Sequence, residues 1–129
     1  MTIIATKDRV VSDVLKYELA PEFGWCREMR TVTLEAGMKV GAVVTSAGAW
    51  VAAAAPAAAA APADAIVIDQ RLDVADTLGT GAVSVLCLVR GPSIVSRSYL
   101  QFKGSVTEGD IDTAAAALLA KQIKVEKAV

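Results

Sequence analysis

The chain has 129 residues, the length of one domain, with 13 basic and 14 acidic residues, a formal net charge of -1 and no histidine. The balanced charge argues against a nucleic-acid-binding protein, which needs a basic patch, and against a polybasic membrane anchor. The missing histidines remove the commonest zinc ligand and the commonest general base. We therefore expect no catalytic residues, no metal and no cofactor, and no direct contact with nucleic acid or a membrane.

Residues 1–26 form a polar, mixed segment with no clear hydrophobic period and no tight-turn signal between its short pieces. Its first nine residues lack the apolar core of a signal peptide. We interpret the segment as an N-terminal arm, and the sequence leaves two interpretations open. It is either a frayed terminus or a flexible arm that becomes ordered by adding a strand to a partner's sheet.

The body begins at Arg27, where the pattern becomes typical of strands. Alternation predicts a strand over residues 30–34, a second over 39–44, and a returning strand that begins at 49–51. An Ala/Pro tract at 52–64 predicts a loop, because each proline ends an alanine helix within about one turn. The uncharged stretch 40–63 is long enough to cross a bilayer, but its prolines, glycines and alanines argue against a membrane span.

The second half of the body contains the strongest strand and the one clear helix. Residues 65–68 and 82–90 are apolar runs, and the near-continuous second run is typical of a strand buried on both faces. Gly91 and Pro92 end it, and a short strand over 93–95 follows. The remaining elements are a helix capped by Thr107 or Asp110, and a closing strand over 123–126. One face of the helix is predicted to carry Ile111, Ala114, Ala115, Leu118, Leu119 and Gln122. The expected architecture is mainly β, with one C-terminal helix, in a single domain over 27–129.

Few residue patterns in the chain point to chemistry. The carboxylates are scattered and no histidine can serve as their base, so an enzyme is disfavoured. Cys26 and Cys87 are isolated thiols that we expect to be reduced. Lys39, in the Gly37–Val40 segment, is distantly similar to the modified lysine of biotin and lipoyl carrier domains, which stays open as an alternative. Trp25 lies where arm and body meet, so it can dock the arm or contact a partner.

Three sequence blocks carry a resemblance to a known family. The first is Asp13–Glu18 together with Cys26–Glu28 and the strand and turn that follow them. The second is Val85–Val95, an apolar strand that ends in Arg-Gly-Pro, and the third is the final helix with Ile123–Val125. In this order they resemble the head decoration proteins of lambda-type bacteriophages. The resemblance covers most of the chain from about Val11, while residues 1–10 and the Ala/Pro tract have no counterpart in it.

The resemblance implies a structural protein of the virion with a small, β-tulip-like fold. Proteins of that family form homotrimers at local threefold sites outside the expanded head, after assembly in the host cytoplasm. There they cement neighbouring subunits of the major capsid protein against the pressure of packaged DNA. A non-viral oligomeric adaptor is a further alternative, because it too would form an oligomer.

Two hypotheses about residues follow from the resemblance. The first is that the arm binds the capsid, so that deleting residues 1–20 leaves a folded trimer that no longer binds heads. Its expected capsid-binding residues are Val14, Leu15, Tyr17, Leu19 and Trp25. The second is that Arg90, Gly91 and Pro92 shape an interface, with Arg90 paired to a carboxylate across it. The alternative is that this triplet only ends a core strand.

Overall fold

The computed structural model describes residues 11–52, 62–73 and 79–127. Within these ranges the protein is mainly β, and α2 is the one helix longer than a single turn, as the sequence predicts. The helices and strands in chain order are α1 (Val11–Val14), β1 (Leu15–Glu18), β2 (Arg27–Leu34), β3 (Val43–Thr45), β4 (Ala63–Val67), β5 (Gly81–Leu88), β6 (Ser93–Ser96), α2 (Glu108–Leu119) and β7 (Ile123–Glu126). No helix in the described part of the chain is both long and apolar enough to cross a membrane.

The strands form two sheets, one of three strands and one of four. The three-stranded sheet has the order β1-β6-β7, in which β6 is antiparallel to β1 and parallel to β7. The four-stranded sheet has the order β2-β5-β4-β3 and is antiparallel throughout. The helix α2 supplies the crossover that the parallel pair β6 and β7 requires.

The four-stranded sheet is buried on both faces at its centre. Ile66 and Leu88 face a core that also contains the buried residues of α2 and of the three-stranded sheet. Val67, Val85 and Cys87 face a second core on the opposite side, completed by the loop before β3. The second half of β5, Val85–Leu88, contacts both cores, so the prediction of a strand buried on both faces is confirmed there. It is wrong for the first half, Gly81–Ser84, which is exposed or half-buried.

The helix α2 begins where the sequence indicates, at a capping box. The hydroxyl of Thr107 accepts a hydrogen bond from the Asp110 N–H at 3.2 Å, and the Asp110 carboxylate accepts one from the Thr107 N–H at 2.9 Å. Thr107 is therefore the N-cap, and Asp110 lies three residues inside the helix. The predicted helix face is partly wrong: Ala114 and Leu118 are buried, but Leu119 is 59% exposed.

The predicted arm of residues 1–26 needs correction at its boundary. Residues 1–10 lie outside the described residues, but residues 11–26 belong to the folded body. The strand β1 pairs with β6, in register with Leu15 beside Val95, and Val14 is fully buried. Local sequence does not reveal this, because the pairing joins segments about 80 residues apart.

Three other predicted boundaries are also wrong. The strand expected over 39–44 is only Val43–Thr45, because Gly41 adopts a φ of 101° and lies against the carbonyl group of Tyr99. The returning strand expected from residue 49 is reduced to a single bridge between Val44 and Trp50. The predicted Ala/Pro loop ends earlier than expected, since β4 begins at Ala63, and residues 53–61 lie outside the described ranges.

Candidate interaction surface

Residues 19–26, which we call the aromatic loop, connect the edge strand β1 to the edge strand β2. The chain turns through a short 3-10 helix at Pro21–Phe23, flanked by Ala20 at φ 48° and Gly24 at φ 64°. Because both residues adopt the left-handed backbone conformation, the chain reverses its direction within a few residues. The connection is therefore a compact turn that directs the side chains of Phe23 and Trp25 outward.

The aromatic loop and the strand ends beside it carry most of the exposed large apolar side chains in the described part of the protein. Phe23 is 83% exposed and Trp25 is 56% exposed. Three further residues of this stretch are between 42% and 52% exposed: Tyr17, Leu19 and Met29. Apolar side chains concentrated in this way mark surfaces that bind another molecule.

Cys26 anchors the base of the aromatic loop. Its side chain is fully buried, and its sulfur lies 3.7 Å from the Leu19 carbonyl oxygen and 3.8 Å from that of Pro92. The backbone closes the same point, because the Leu19 N–H donates to the Pro92 carbonyl at 3.0 Å and the Val89 N–H donates to the Cys26 carbonyl at 2.8 Å. Cys26 is thus a structural residue of the loop, held against the turn between β5 and β6.

An ion pair closes the loop on its other side. The carboxylate of Glu18 at the end of β1 accepts hydrogen bonds from Nε and Nη2 of Arg27 at the start of β2. The Glu18 side chain is only 6% exposed, and hydrogen bonding to it raises the pKa of Arg27. A carboxylate this buried needs its partner, so the pair fixes the two ends of the loop together.

Arg90 joins this loop to β2. Its Nη1 donates to the Trp25 carbonyl oxygen at 2.5 Å, and its Nη2 donates to the Glu28 carboxylate at 2.9 Å. Its guanidinium also lies 5.5 Å from the centroid of the Trp25 ring, within the range of a cation–π contact. Two predicted site residues, Trp25 and Arg90, are therefore in direct contact, and the carboxylate partner of Arg90 is found in its own chain.

Gly91 and Pro92 form the turn between β5 and β6 next to the aromatic loop. The Gly91 N–H donates to the Lys121 carbonyl at 2.9 Å, and a Cβ atom on Gly91 would lie 1.8 Å from the Gln122 carbonyl oxygen. The peptide bond between Gly91 and Pro92 is cis. Gly91 thus allows the turn between α2 and β7 to pack closely against the turn between β5 and β6. The sequence hypothesis did not include this structural role.

The remaining predicted binding residues divide into two groups. Tyr17, beside the aromatic loop, and Leu19, its first residue, are exposed where a partner can reach them. Val14 is fully buried and Leu15 is 9% exposed, so both side chains belong to the core of this protein and are not available to a partner. Sequence reasoning missed Phe23 and Met29, although both are large apolar residues within a polar context, which is a usable signal.

An open groove of about 700 Å3 lies elsewhere, between α2 and the segment that precedes it. Its lining includes Phe102, Ile111 and Arg97. The guanidinium of Arg97 is engaged by Glu108 at 2.7 Å and by Asp112 at 2.8 Å. These ion pairs leave Arg97 no free charge to offer an anionic ligand, so the groove is a weaker candidate site than the aromatic loop.

No known family model matches the chain, and comparisons with curated proteins and with solved structures found no match either.

Proposed function

We propose that this protein is a structural head decoration protein of a phage. Homotrimers bind the outside of the expanded head at local threefold sites and cement neighbouring subunits of the major capsid protein. The proposal rests on the order of the three sequence blocks and on one structural observation. That observation is the concentration of exposed apolar residues at 17–29, which lies within and between the parts of the first block.

The geometry of these blocks supports a common role. The first block contains β1 and β2, the second contains the end of β5 and most of β6, and the third contains α2 and most of β7. The strands β2 and β5 are neighbours in the four-stranded sheet. Although they are far apart in sequence, β1, β6 and β7 form one sheet, and the aromatic loop projects beside it. A binding function located in this region would account for the resemblance of all three blocks.

A trimer gives weak contacts of this kind a high total affinity. When one subunit has bound, the other two act at a high effective concentration. Because the aromatic loop is held by Cys26 and by the Glu18–Arg27 pair, little conformational entropy is lost when it binds. In this proposal Phe23 and Trp25 are the main capsid-contacting side chains, with Tyr17 and Leu19 beside them.

Two measurements test the proposal. Sizing chromatography with light scattering should give a trimer, and the protein should sediment with expanded heads of the phage that encodes it. Phe23→Ser and Trp25→Ser should each weaken head binding by at least about tenfold, the size expected for an aromatic hot spot. Leu119→Ser, which removes from α2 an apolar side chain about as exposed as Trp25, is the matched control and should bind normally.

The truncation suggested by the sequence is not a suitable test. Deleting residues 1–20 would remove β1 and the fully buried Val14, so the remaining protein would lose part of its core. Loss of head binding by that variant would only report unfolding. Normal head binding by both Phe23→Ser and Trp25→Ser would contradict the proposal that this loop contacts the capsid.

Arg90 has a separate test. Arg90→Ala removes the contacts to Trp25 and Glu28, so it should weaken head binding by loosening the aromatic loop while leaving the trimer intact. If Arg90 instead pairs across a subunit interface, the trimer itself should dissociate. A variant that keeps both trimer and head binding would favour the alternative that the triplet only ends β5.

One observation bears on the carrier-domain alternative. Lys39 is exposed and lies in the loop before β3, not in a strand as expected. An exposed position in a loop is what a modified lysine would require. Its neighbours Met38 and Val40 are buried, however, and its N–H donates to the Gln101 side chain at 2.6 Å. A mass increase on Lys39 after co-expression with a biotin or lipoate ligase would support the carrier function.

A further inference from the structure

The strand β2 lies at one edge of the four-stranded sheet, and half of its backbone faces away from that sheet. Its register with β5 places Glu28 beside Cys87. Two residues earlier in β2, the Cys26 carbonyl accepts a hydrogen bond from the Val89 N–H, so the even-numbered residues bond to β5. The peptide groups of the odd-numbered residues therefore point outward, because hydrogen-bonding direction alternates along a strand.

Both ends of this outer edge are already occupied. The Arg27 N–H donates to the Gly24 carbonyl at 3.0 Å, and the Thr33 N–H donates to the Gly48 carbonyl at 2.9 Å. Gly48 also covers the Thr31 carbonyl, since a Cβ atom on Gly48 would lie 2.3 Å from that oxygen. These contacts limit any additional strand to the short stretch between Arg27 and Thr31.

Between these ends the edge remains open. No hydrogen bond from the described part of the chain reaches the N–H groups of Met29 and Thr31. The carbonyl groups of Arg27 and Met29 point to the same side, so the stretch offers two donors and two acceptors. Both Met29 and Thr31 are exposed. Unpaired edges of this kind bind another strand by backbone hydrogen bonds.

We propose that β2 pairs with β2 of a second copy of this chain, antiparallel and centred on Met29. In that register the N–H of each Met29 donates to the Met29 carbonyl of the other copy. The N–H of each Thr31 donates to the Arg27 carbonyl of the other copy, so every open donor meets an open acceptor. The two blocked groups, the Arg27 N–H and the Thr31 carbonyl, would face each other, so the loops that block them meet at the ends of the paired stretch.

The neighbouring registers use fewer of these groups. Centring the pair on Arg30 would direct the Met29 N–H at the covered Thr31 carbonyl, and centring it on Glu28 would direct the Met29 carbonyl at the occupied Arg27 N–H. The first register would also place two Arg30 residues directly opposite each other, and the second would do the same with two Glu28 residues. Like charges in that position destabilise a strand pair, so both registers are disfavoured.

The side chains favour the register centred on Met29. On one side of the paired strands, Glu28 of each copy would lie opposite Arg30 of the other, and opposite charges in that position stabilise a strand pair. Within its own chain Glu28 binds Arg90 at 2.9 Å and Arg30 binds Asp64 at 2.6 Å, so pairing would extend this ion-pair chain across the contact. On the other side the two Met29 side chains, each 52% exposed in one copy, would cover each other.

The contact is weak by itself and has twofold symmetry. A paired stretch of about five residues is too short to bury the roughly 1,200 Å2 of a stable interface, so we expect a Kd on the order of 1 mM. Because a twofold contact is completed by two copies, in a trimer it would join subunits of different trimers. At micromolar concentration it would dissociate and leave the mass of the trimer unchanged. The proposal therefore does not depend on the function proposed above.

The first test follows backbone amides of the labelled full-length protein by NMR between about 20 μM and about 2 mM. At the higher concentration the Met29 and Thr31 signals should shift, and their hydrogen exchange should slow by at least about twofold, as expected when more than half of the copies are paired. The Thr33 N–H, which is already bonded to Gly48, is the internal control and should not respond. If the Met29 and Thr31 amides do not respond to concentration, the proposal is overturned.

The second test measures the register by cross-linking. Met29→Cys would place two thiols on residues whose Cα atoms lie about 5.5 Å apart, within the range of a disulfide bond. Thr31→Cys, the matched control, would place them about 13 Å apart, because Thr31 lies opposite Arg27, four residues away along the strand. Under mild oxidation Met29→Cys should form a covalent dimer and Thr31→Cys should not. The unmutated protein, whose Cys26 and Cys87 are buried, should stay uncoupled.

Two results of the cross-linking would overturn the proposal. Equal cross-linking of Met29→Cys and Thr31→Cys would show that copies meet without a fixed register. Cross-linking only in a mixture of the two variants would show the register centred on Arg30.

The third test exchanges the charges that face each other. Glu28→Lys alone and Arg30→Glu alone would each place like charges opposite each other twice, so each should weaken self-association about tenfold. An equimolar mixture should recover the concentration dependence of the unmutated protein, because opposite charges then meet at both positions. If the mixture of the two folded variants associates no better than either alone, the proposal is overturned. The amide and cross-linking tests decide the proposal even if Arg30→Glu, which loses its pair with Asp64, does not fold.

The two proposals fail separately. A protein that sediments with heads but shows no response of the Met29 and Thr31 amides would support only the capsid contact. A protein that cross-links at Met29→Cys but does not sediment with heads would support only the pairing of β2. Phe23→Ser should weaken head binding and leave the amide response unchanged.

Discussion

Replacing Gly91 with alanine should destabilise the protein at the turn where the aromatic loop, β6 and the end of α2 meet. The added methyl carbon would lie 1.8 Å from the carbonyl oxygen of Gln122 and 2.5 Å from its carbonyl carbon. Both are backbone atoms, so no side chain can rotate away to make room. The turn between α2 and β7 would have to move instead.

The magnitude follows from what that movement breaks. Two hydrogen bonds hold the turns together, from the Gly91 N–H to the Lys121 carbonyl at 2.9 Å and from the Ser93 N–H to the Gln122 carbonyl at 3.2 Å. Overpacking costs about 1–3 kcal/mol, and each lost hydrogen bond costs about 1 kcal/mol. Gly91→Ala should therefore lower the free energy of unfolding by about 3–5 kcal/mol, which corresponds to a fall in Tm on the order of 10–20 °C.

The assay is urea and thermal unfolding followed by circular dichroism, with Gly109→Ala as the matched control. A Cβ atom on Gly109, in the first turn of α2, would meet only the Thr107 hydroxyl at 3.7 Å. Alanine should therefore stabilise that helix by about 0.5–1 kcal/mol. If Gly91→Ala unfolds within about 1 kcal/mol of the unmutated protein, the close approach of the two turns does not exist as described.

Three further predictions concern buried polar groups. Hydrogen bonds from Arg71 lower the pKa of Asp69, so its stabilising effect is present near neutral pH and is lost as the pH falls below about 4. Asp69→Asn should therefore cost about 2 kcal/mol at pH 7, and urea unfolding should show that cost shrinking at pH 3; an equal cost at both pH values would contradict this. Glu18→Gln should lower the free energy of unfolding by about 1.5–3 kcal/mol, because it weakens the paired hydrogen bonds from Arg27, and an unchanged urea midpoint would argue against a closed loop. Burial raises the pKa of Cys87 to about 12, so iodoacetamide at pH 8 should modify it only as fast as the protein unfolds; rapid labelling of the folded protein, read by mass spectrometry, would show that this thiol is accessible.

The elements that the sequence predicts correctly are those whose signals are local. The apolar run of β5, the capping box before α2 and the alternation of β7 each lie within a few consecutive residues. Each pattern has one favourable backbone conformation, and the protein adopts it. The mainly β class with one C-terminal helix follows from these segments.

The errors arise where distant contacts decide the structure. Residues 11–26 have no clear hydrophobic period of their own. They nevertheless belong to the folded body, because β1 pairs with β6 and Val14 is buried. The predicted strand from Lys39 is interrupted because Gly41 lies against the Tyr99 carbonyl, and no local sequence pattern predicts this long-range contact. The candidate site was only partly predictable for the same reason: Trp25 and Arg90 were both named, but not their contact.

In the proposed capsid contact, different residues of the aromatic loop would anchor it and contact the partner. Cys26 and the Glu18–Arg27 pair hold its base, whereas the tip exposes Phe23 without contributing it to either core. Substitutions at the tip should therefore change the free energy of unfolding little, whereas substitutions at the base should lower it substantially. A lineage could retarget this protein to a changed partner by altering the tip alone, and an engineer could graft a foreign contact sequence at the same position.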